Sequence, residues 1–186
     1  MAREIDVGRE VELKFQVAAE DLEAVLGAAP TGQDEVRQLH SIYFDTETAV
    51  LAAQQMSLRI REEGGRKIQT LKHGSGVSRE EREAEVADLD TSWPELTGLA
   101  IVVVSEVRVM RRQRFVSFDG AEIEIAADSG EVSAGGRKEA FSELELELKS
   151  GPEAALHKLA AILGRAAGLT PSSVSKADRG RALRSI

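Results

Sequence analysis

The sequence predicts an α+β protein that is mainly antiparallel β, with roughly eight strands, one substantial helix and a few short helices. Apolar and charged residues alternate with a period of two in several segments, most regularly in Phe141–Lys149. Parallel βαβ units would need a helix between each pair of strands, and those helical patterns are missing. At 186 residues without a long linker, we expect a single domain over residues 1–186.

Extended patterns dominate the first half of the chain. Strands are predicted in four stretches, which are Arg9–Val17, Val36–Asp45, Met56–Glu62 and Arg66–Lys72. Gly64-Gly65 joins the last two as a hairpin turn, and short helices are predicted at 18–26 and 48–53. Val77–Val86 is ambiguous, because its charges fit either a helix or one face of a strand.

The second half continues in the same way. Strands are predicted in four further stretches, which are Val102–Val109, Met110–Phe118, Glu122–Ala127 and Phe141–Lys149. Asp119-Gly120 is a strong hairpin signal between two of them. A short helix is predicted from Thr91, with Ser92 as its cap. The longest helix is predicted from Ser150 to about Ala167, ended by Gly168 and expected to cover the sheet.

Composition excludes several classes of protein. The formal net charge of −8 and a pI of about 5.1 argue against general nucleic-acid binding. There is no cysteine, so metal would be bound by oxygen or histidine, and the three histidines lack metal spacing. The longest apolar stretch, Leu99 to Val104, is too short to span a bilayer, and the first ten residues are too charged for a signal peptide. We therefore expect a cytoplasmic protein without a membrane partner.

Charge alternation indicates where a ligand binds. If the strands close into a barrel, one set of alternate side chains points inward. The charged members of that set are Glu10, Glu12, Lys14, Arg59, Arg61, Lys72, Arg79, Glu81, Glu83, Arg112, Arg114, Glu124, Glu143, Glu145 and Glu147. Each unpaired buried ion would cost several kcal/mol, so such a lumen needs water, mutual pairing or a charged ligand. Arg and Lys bind phosphate, and carboxylates bind Mg²⁺ or Mn²⁺, which together suit a metal-bound polyphosphate.

The order of these motifs resembles a known family. Glu10-Val11-Glu12-Leu13-Lys14 resembles the ExExK signature of the CYTH superfamily, the triphosphate tunnel metalloenzymes. Further segments resemble its later strands in order, and these are Tyr43–Thr46, Leu58–Arg61, Thr70–Lys72, Ser78–Glu83, Arg112–Arg114, Glu124–Asp128, Glu143–Lys149 and the terminal lysine segment Ser175–Gly180. The resemblance extends from Glu10 to about Ala182.

The resemblance implies an eight-stranded antiparallel barrel that forms a triphosphate tunnel with flanking helices. It also implies dependence on Mg²⁺ or Mn²⁺. The implied metal ligands are Glu10, Glu12, Glu124, Asp128, Glu145 and Glu147. The implied phosphate ligands are Lys14, Arg59, Arg61, Lys72, Arg79, Arg112, Arg114 and Lys176. The residues implied in catalysis are Glu10, Glu12, Lys14 and Glu83.

Several of these assignments leave alternatives open. Glu81, Glu83, Glu124 and Asp128 would bind a second metal ion, orient the attacking water or pair with the bases. Four arginines between positions 108 and 114 compete for two places in the tunnel, and Arg108 and Arg111 are interpreted as surface or ion-pair residues. Lys149 is expected at the tunnel mouth.

The function that follows is metal-dependent hydrolysis of a triphosphate compound, with inorganic tripolyphosphate as the first substrate. A metal-activated water would attack the terminal phosphate in line. Aromatic residues are only 4% of the chain, which favours recognition of phosphate over recognition of a nucleobase. The alternatives are a class IV-type adenylyl cyclase, a thiamine or nucleoside triphosphatase, and a polyphosphate-binding module without turnover. We expect a triphosphate or polyphosphate small molecule as the partner, no nucleic acid, and a monomer or homodimer.

Overall fold

The protein folds as a closed eight-stranded antiparallel barrel with short helices around it. The structure is a computed structural model that describes residues 3–184, with side chains from Gly8 onward. The strands are β1 (Arg3–Gln16), β2 (Asp34–Thr46), β3 (Met56–Glu63), β4 (Arg66–His73), β5 (Ser78–Glu85), β6 (Ile101–Phe118), β7 (Ala121–Ala134), β8 (Arg137–Ser150) and the two-residue β9 (Thr170–Pro171). The helices are α1 (Leu22–Ala28), α2 (Val50–Ala53), α3 (Ala154–Leu163) and α4 (Lys176–Arg184).

The barrel closes at β1. The strand order is β5-β4-β3-β2-β6-β7-β8-β1, and β1 also pairs with β5. The register places Glu12 opposite Glu147 of β8 and Glu10 opposite Arg79 of β5. Strand β9 adds to β1 beside Phe15. The eight-stranded antiparallel barrel predicted from the sequence is thus confirmed.

Three apolar clusters surround a charged interior. Outside β1, β7 and β8, residues such as Leu144 and Leu146 pack under α1 and α3. Outside β3, β4 and β5, a second cluster packs under the connection that leads to β6, where Trp93 and Leu96 are buried. The third cluster joins α4, through Leu183, to the ends of β2, β6, β7 and β8. Helix α3 covers the barrel wall, as predicted, and α4 packs against one end of the barrel.

Several element boundaries differ from the sequence-based prediction. The two predicted strands at 102–118 form one continuous strand, β6, and the ambiguous segment 77–86 forms β5. Helix α3 ends at Leu163, because its buried apolar positions end there, and Gly164 rather than Gly168 follows it. The predicted helix near Thr91 is only a 3-10 turn at Pro94–Leu96, and Ser92 does not cap it.

Helix α4 was not predicted as a helix. Its sequence is dominated by charged residues, with few apolar positions to define a helical face. Its buried residues nevertheless include Lys176 and Arg179, which face the barrel. Helix α4 can bury a charged residue such as Lys176 because the barrel interior that it faces is also charged. Within residues 3–184, the structure contains no helix that is both long enough and apolar enough to cross a membrane.

The packing of α3 predicts a clear difference between two of its residues. Leu159 is fully buried against the barrel, whereas Ile162 on the same helix is 39% exposed. We expect Leu159→Ala to destabilise the protein by about 2–5 kcal/mol, since it leaves a cavity. The matched variant Ile162→Ala should change the free energy of unfolding by less than about 1 kcal/mol. Urea unfolding would measure both, and equal effects would contradict the placement of α3.

Candidate functional site

All eight barrel strands and α4 contribute side chains to an internal cavity of about 200 Å³. We call this cavity the tunnel. Its nine cationic side chains are Lys14, Arg37, Arg59, Arg61, Lys72, Arg79, Arg111, Lys149 and Lys176. Its nine acidic side chains are Glu10, Glu12, Glu63, Glu81, Glu83, Glu124, Asp128, Glu145 and Glu147. The tunnel lining is therefore formally neutral, although the chain as a whole carries a net charge of −8.

The alternation of charged and apolar residues along β1 explains why its charged side chains lie inside the tunnel. Glu10, Glu12 and Lys14 line it, whereas Phe15 is buried in the outer cluster under α3 and α1. A strand has a side-chain period of two, so a polar inner face and an apolar outer face coexist on one segment. Strand β8 repeats this pattern, with Glu145 facing inward and Leu146 outward.

The most enclosed charges lie where α4 meets β7 and β8. The Lys176 ammonium lies 2.8 Å from Asp128 and 3.0 Å from Glu145, and it also donates a hydrogen bond to Glu143. Arg111 donates two hydrogen bonds of 2.7 Å to Asp128. Lys14 lies 3.1 Å from Glu145. These cations surround the buried carboxylates on several sides.

A second group of contacts joins β1 to β4 and β5. The Lys72 ammonium donates a 2.6 Å hydrogen bond to Glu10. One guanidinium nitrogen of Arg79 lies 3.1 Å from Glu10 and 3.2 Å from Glu12. These ion pairs close the wall of the tunnel where β1 meets β5.

The cations of β3 are less completely paired. Arg61 has a contact of 3.5 Å to Glu63. Within the part of the chain that the structure describes, the buried Nε atoms of Arg59 and Arg61 have no hydrogen-bond partner. Burial, followed by repulsion from Arg59, lowers the pKa of Arg61. The β3 side of the tunnel therefore presents two buried N–H donors without a partner among the described residues.

The carboxylates differ in how well their charge is neutralised. Burial is the largest influence on Glu145 and raises its pKa, but Lys176, Lys14 and Arg111 together hold that pKa well below its usual value. Burial, together with the neighbouring Glu145, raises the pKa of Glu12 to about 7. Burial also raises the pKa of Glu147, the partner of Glu12 across the β1–β8 ladder. The pKa of Glu143 is raised by burial as well, so burial outweighs the neighbouring cations at Glu12, Glu143 and Glu147.

Most of the residues singled out from the sequence meet in the tunnel. Those that line it are Glu10, Glu12, Lys14, Arg59, Arg61, Lys72, Arg79, Glu81, Glu83, Glu124, Asp128, Glu145, Glu147 and Lys176. Lys149, expected at the tunnel mouth, also lines the cavity, 2.8 Å from both Glu124 and Glu147.

The predicted placement of Arg112 and Arg114 in the tunnel is wrong. Arg112 pairs outside the barrel with Glu23 and lies 3.2 Å from Asp34. Arg114 also binds Asp34 and donates hydrogen bonds to the backbone oxygens of Leu26 and Pro30. These contacts fix the segment between α1 and β2.

The register of β6 is the physical reason for this correction. Its inward residues at this level are Val109, Arg111 and Gln113, so residues of even number face outward. Arg111, interpreted from the sequence as a surface or ion-pair residue, lies inside the tunnel and pairs there with three carboxylates. The arginines of this segment occupy both faces of the strand, so charge alone did not fix the register.

Sequence reasoning also missed inward residues on β2. Arg37, Leu39, Ser41 and Tyr43 all line the tunnel. Their spacing of two is a signal that was present in the predicted strand, but only Arg37 is charged. The sequence analysis therefore identified tunnel residues by their charge and missed the uncharged inward residues of β2.

A larger cavity of about 890 Å³ adjoins the tunnel, and we call it the vestibule. It shares six lining residues with the tunnel, namely Glu12, Lys14, Ser57, Lys72, Arg79 and Ser175. The loop Gly74-Ser75-Gly76 lines it, as do His157 of α3 and Arg181 of α4.

Comparison with known proteins adds independent findings. The sequence model of the CYTH domain matches residues 8–180. An inorganic triphosphatase from Haemophilus influenzae is 29% identical over 190 residues, which cover 92% of this chain and 54% of that protein. The chain therefore spans about half the length of this curated relative.

Solved structures with the same fold are also found. A protein from Pyrococcus horikoshii matches with a TM-score of 0.68 and 24% identity, covering 94% of this chain and 99% of that one. A Hippeastrum protein, described as an adenylyl cyclase candidate with a dominant triphosphatase activity, matches with a TM-score of 0.69 and 19% identity. That match covers 95% of this chain and 96% of the Hippeastrum chain. At these identities, the two matches support the barrel fold.

The inward position of Arg111 makes a testable distinction from Arg112. Arg111→Leu would leave Asp128 and Glu145 without one of their buried partners, so we expect a loss of about 3–5 kcal/mol in the free energy of unfolding. Arg112→Leu removes only ion pairs at the surface and should change stability little. Urea unfolding of both variants is the measurement. A larger effect for Arg112→Leu would reverse the assigned register of β6.

The raised pKa of Glu12 predicts how the stability of the metal-free protein depends on pH. A carboxyl whose pKa is higher in the folded than in the unfolded state loses stabilisation as pH rises from about 4.5 to about 7. In EDTA, Glu12→Gln should therefore raise the melting temperature at pH 8 and leave it almost unchanged near pH 4.5. Glu80→Gln, at a glutamate whose side chain is 86% exposed, is the control. A lower melting temperature for Glu12→Gln at pH 8 would mean that the Glu12 ion pairs dominate.

Proposed function

This chain belongs to the CYTH domain family, and from that premise we propose that it is a divalent-metal-dependent triphosphatase whose substrate is inorganic tripolyphosphate. The reaction is hydrolysis of a phosphoric anhydride inside the tunnel. The curated relative from Haemophilus influenzae supports this proposal through its name, inorganic triphosphatase. The triphosphatase activity ascribed to the Hippeastrum protein supports the same reaction class.

The observation that carries the proposal is the state of the β3 arginines. Arg59 and Arg61 point into the tunnel, and their buried Nε donors have no partner among the described residues. A buried guanidinium donor without an acceptor is costly, and a phosphate oxygen is the acceptor that best matches its planar geometry. Anion binding would therefore satisfy donors that the described protein groups leave free.

The opposite wall fits a divalent cation. Glu12 and Glu147 face each other across the β1–β8 ladder, and Glu10 follows on the same face of β1. Hard carboxylate oxygens are the ligands that Mg²⁺ and Mn²⁺ prefer. The raised pKa values of Glu12 and Glu147 agree with a deficit of positive charge there. When bound, the cation supplies positive charge that offsets the charge of the phosphate oxygens in the transition state.

The remaining residues bind the phosphate chain and position the nucleophile. Arg59 and Arg61 bind one end of the substrate, and Lys72 and Arg79 turn from their carboxylate partners to its other phosphates. Glu83 accepts a 2.7 Å hydrogen bond from the Thr70 hydroxyl, which fixes the orientation of its carboxylate. Its remaining lone pairs are available to a water molecule, and in this proposal Glu83 orients that water for in-line attack.

The vestibule favours a second candidate substrate. It is wider than the tunnel, and Met56, Val77, Ala160 and Pro171 give it an apolar part. An organic group attached to a triphosphate, as in a nucleoside or thiamine triphosphate, would occupy this cavity while the phosphates enter the tunnel. The same position would serve a cyclase reaction on a nucleoside triphosphate. Comparison of substrates therefore distinguishes the two candidates.

The proposal predicts a substrate order and a matched pair of variants. Phosphate release from tripolyphosphate should require Mg²⁺ or Mn²⁺, stop in EDTA and exceed release from ATP or thiamine triphosphate. Arg59→Met should raise KM for tripolyphosphate by about 10- to 100-fold, because a charge-assisted contact contributes about 1.5–3 kcal/mol. Arg112→Met, outside the barrel, should behave as wild type. The measurement is steady-state phosphate release for each protein and substrate.

Four other outcomes would contradict the proposal. Faster hydrolysis of thiamine triphosphate or ATP would favour the organic substrate. Release of pyrophosphate with a cyclic nucleotide from ATP would indicate a cyclase. Tripolyphosphate binding without turnover under both metals would indicate a binding module. Equal KM values for Arg59→Met and wild type would remove the β3 arginines from the phosphate site.

A further inference from the structure

We infer that the cluster of Asp128, Glu143 and Glu145 is a built-in site for the ammonium of Lys176, so that it excludes a divalent metal ion and fixes α4 in the barrel. The inference deepens the proposed function, because it restricts the metal to the wall formed by Glu12 and Glu147. It also revises two sequence-based expectations. Asp128 and Glu145 were predicted as metal ligands, and Lys176 as a phosphate ligand.

The geometry of the cluster is that of a cation site. One carboxylate oxygen from each of the three residues lies within 4.8 Å of the other two, a spacing that a metal ion could use. The Nζ atom of Lys176 contacts all three residues, at 2.8 Å from Asp128, at 3.0 Å from Glu145 and in a hydrogen bond to Glu143. An ammonium has three N–H donors, so three carboxylate acceptors satisfy it completely.

Burial keeps the Lys176 ammonium between the three carboxylates. The side chains of Asp128 and Glu143 have no exposed surface, and those of Lys176 and Glu145 are 10% exposed. The Nζ atom also lies 5.6 Å from the centre of the Phe141 ring, which forms part of the apolar cluster around α4. Withdrawal of the ammonium would leave three carboxylates in a nearly closed space, and such uncompensated charges are strongly destabilising.

Charge counting argues against an additional metal ion. Lys176, Lys14 and Arg111 contact the three carboxylates, so three positive charges match three negative ones. A divalent ion would add two positive charges to a cluster whose contacting cations already equal its carboxylates in number. It would also have to displace the Lys176 Nζ, because metal–oxygen distances of about 2.0–2.6 Å require the ion to lie between the same oxygens.

The same contact makes Lys176 a positioning residue. Lys176 is the first residue of α4, and this helix is capped by reciprocal hydrogen bonds between Ser175 and Asp178. The cap and the buried ammonium hold the start of α4 at the junction of the tunnel and the vestibule. Lys176 therefore acts through the position of α4 rather than as a ligand of the substrate.

Mn²⁺ binding to the intact chain tests the inference without substrate. Isothermal titration calorimetry would give the stoichiometry and Kd for wild type, Glu143→Gln and Glu147→Gln. We expect Glu143→Gln to bind as many Mn²⁺ ions as wild type, with a Kd within about threefold. Loss of one Mn²⁺ ion, or weakening by tenfold or more, in Glu143→Gln would overturn the inference.

A second pair of variants tests the role of the ammonium directly. Lys176→Met should gain one Mn²⁺ ion relative to wild type, since it frees three carboxylates at metal spacing. Addition of Glu143→Gln to Lys176→Met should remove that gain. A folded Lys176→Met protein with the wild-type stoichiometry would contradict the inference. If Lys176→Met does not fold, the Glu143→Gln titration still decides.

The Glu147→Gln titration separates this inference from the proposed function. Weaker Mn²⁺ binding in Glu147→Gln, together with unchanged binding in Glu143→Gln, supports both. Unchanged binding in both variants contradicts the proposed metal wall and leaves the lysine site supported. Weakening in Glu143→Gln alone contradicts the lysine site and moves the metal to the Asp128 cluster.

Discussion

Neutralisation of charge inside a closed barrel is the constraint on which the rest of this structure depends. Among the described residues, eighteen charged side chains line the tunnel, nine of each sign. Unpaired, they would cost far more than the few kcal/mol by which a domain of this size is stable. The register of every strand must therefore bring opposite charges together, and the apolar outer face of the barrel must be covered by helices and loops in the same register.

The positive and negative charges of the tunnel lining are equal in number, but they are distributed unevenly along the tunnel. Where α4 enters the barrel, Lys176, Lys14 and Arg111 contact the carboxylates of Asp128, Glu143 and Glu145. Along the β1–β8 ladder, burial raises the pKa of Glu12 and Glu147, and on β3 the Nε donors of Arg59 and Arg61 have no hydrogen-bond partner among the described residues. In the proposed function, a metal-bound anion would supply the cation to the first group and the acceptors to the second.

The amino-acid sequence predicted the barrel and most of its inward charges because β1, β3 and β8 alternate cleanly. In β1, Glu12 and Lys14 are each flanked by apolar residues, so only one register buries the apolar face. Strand β6 lacks this property. Arginines stand on both of its faces, and only the contacts of Asp34 with Arg112 and Arg114 show which face is outside. Helix α4 escaped prediction for a related reason, because its buried side chains include Lys176 and Arg179 beside Ala177 and Leu183, which leaves little apolar periodicity to detect.

Strand β1 has a consequence for the order of events during synthesis. Its two ladders join the beginning of the chain to β5, in the first half, and to β8, near the end. The ribosome must therefore release residues up to Glu147 before β1 can meet its second neighbour. Until then, Leu13 and Phe15 lack the α3 surface that later covers them, and the Glu12–Gln16 part of β1 lacks its β8 partner. Long-range pairing of this kind slows folding, so the second ladder of β1 forms late.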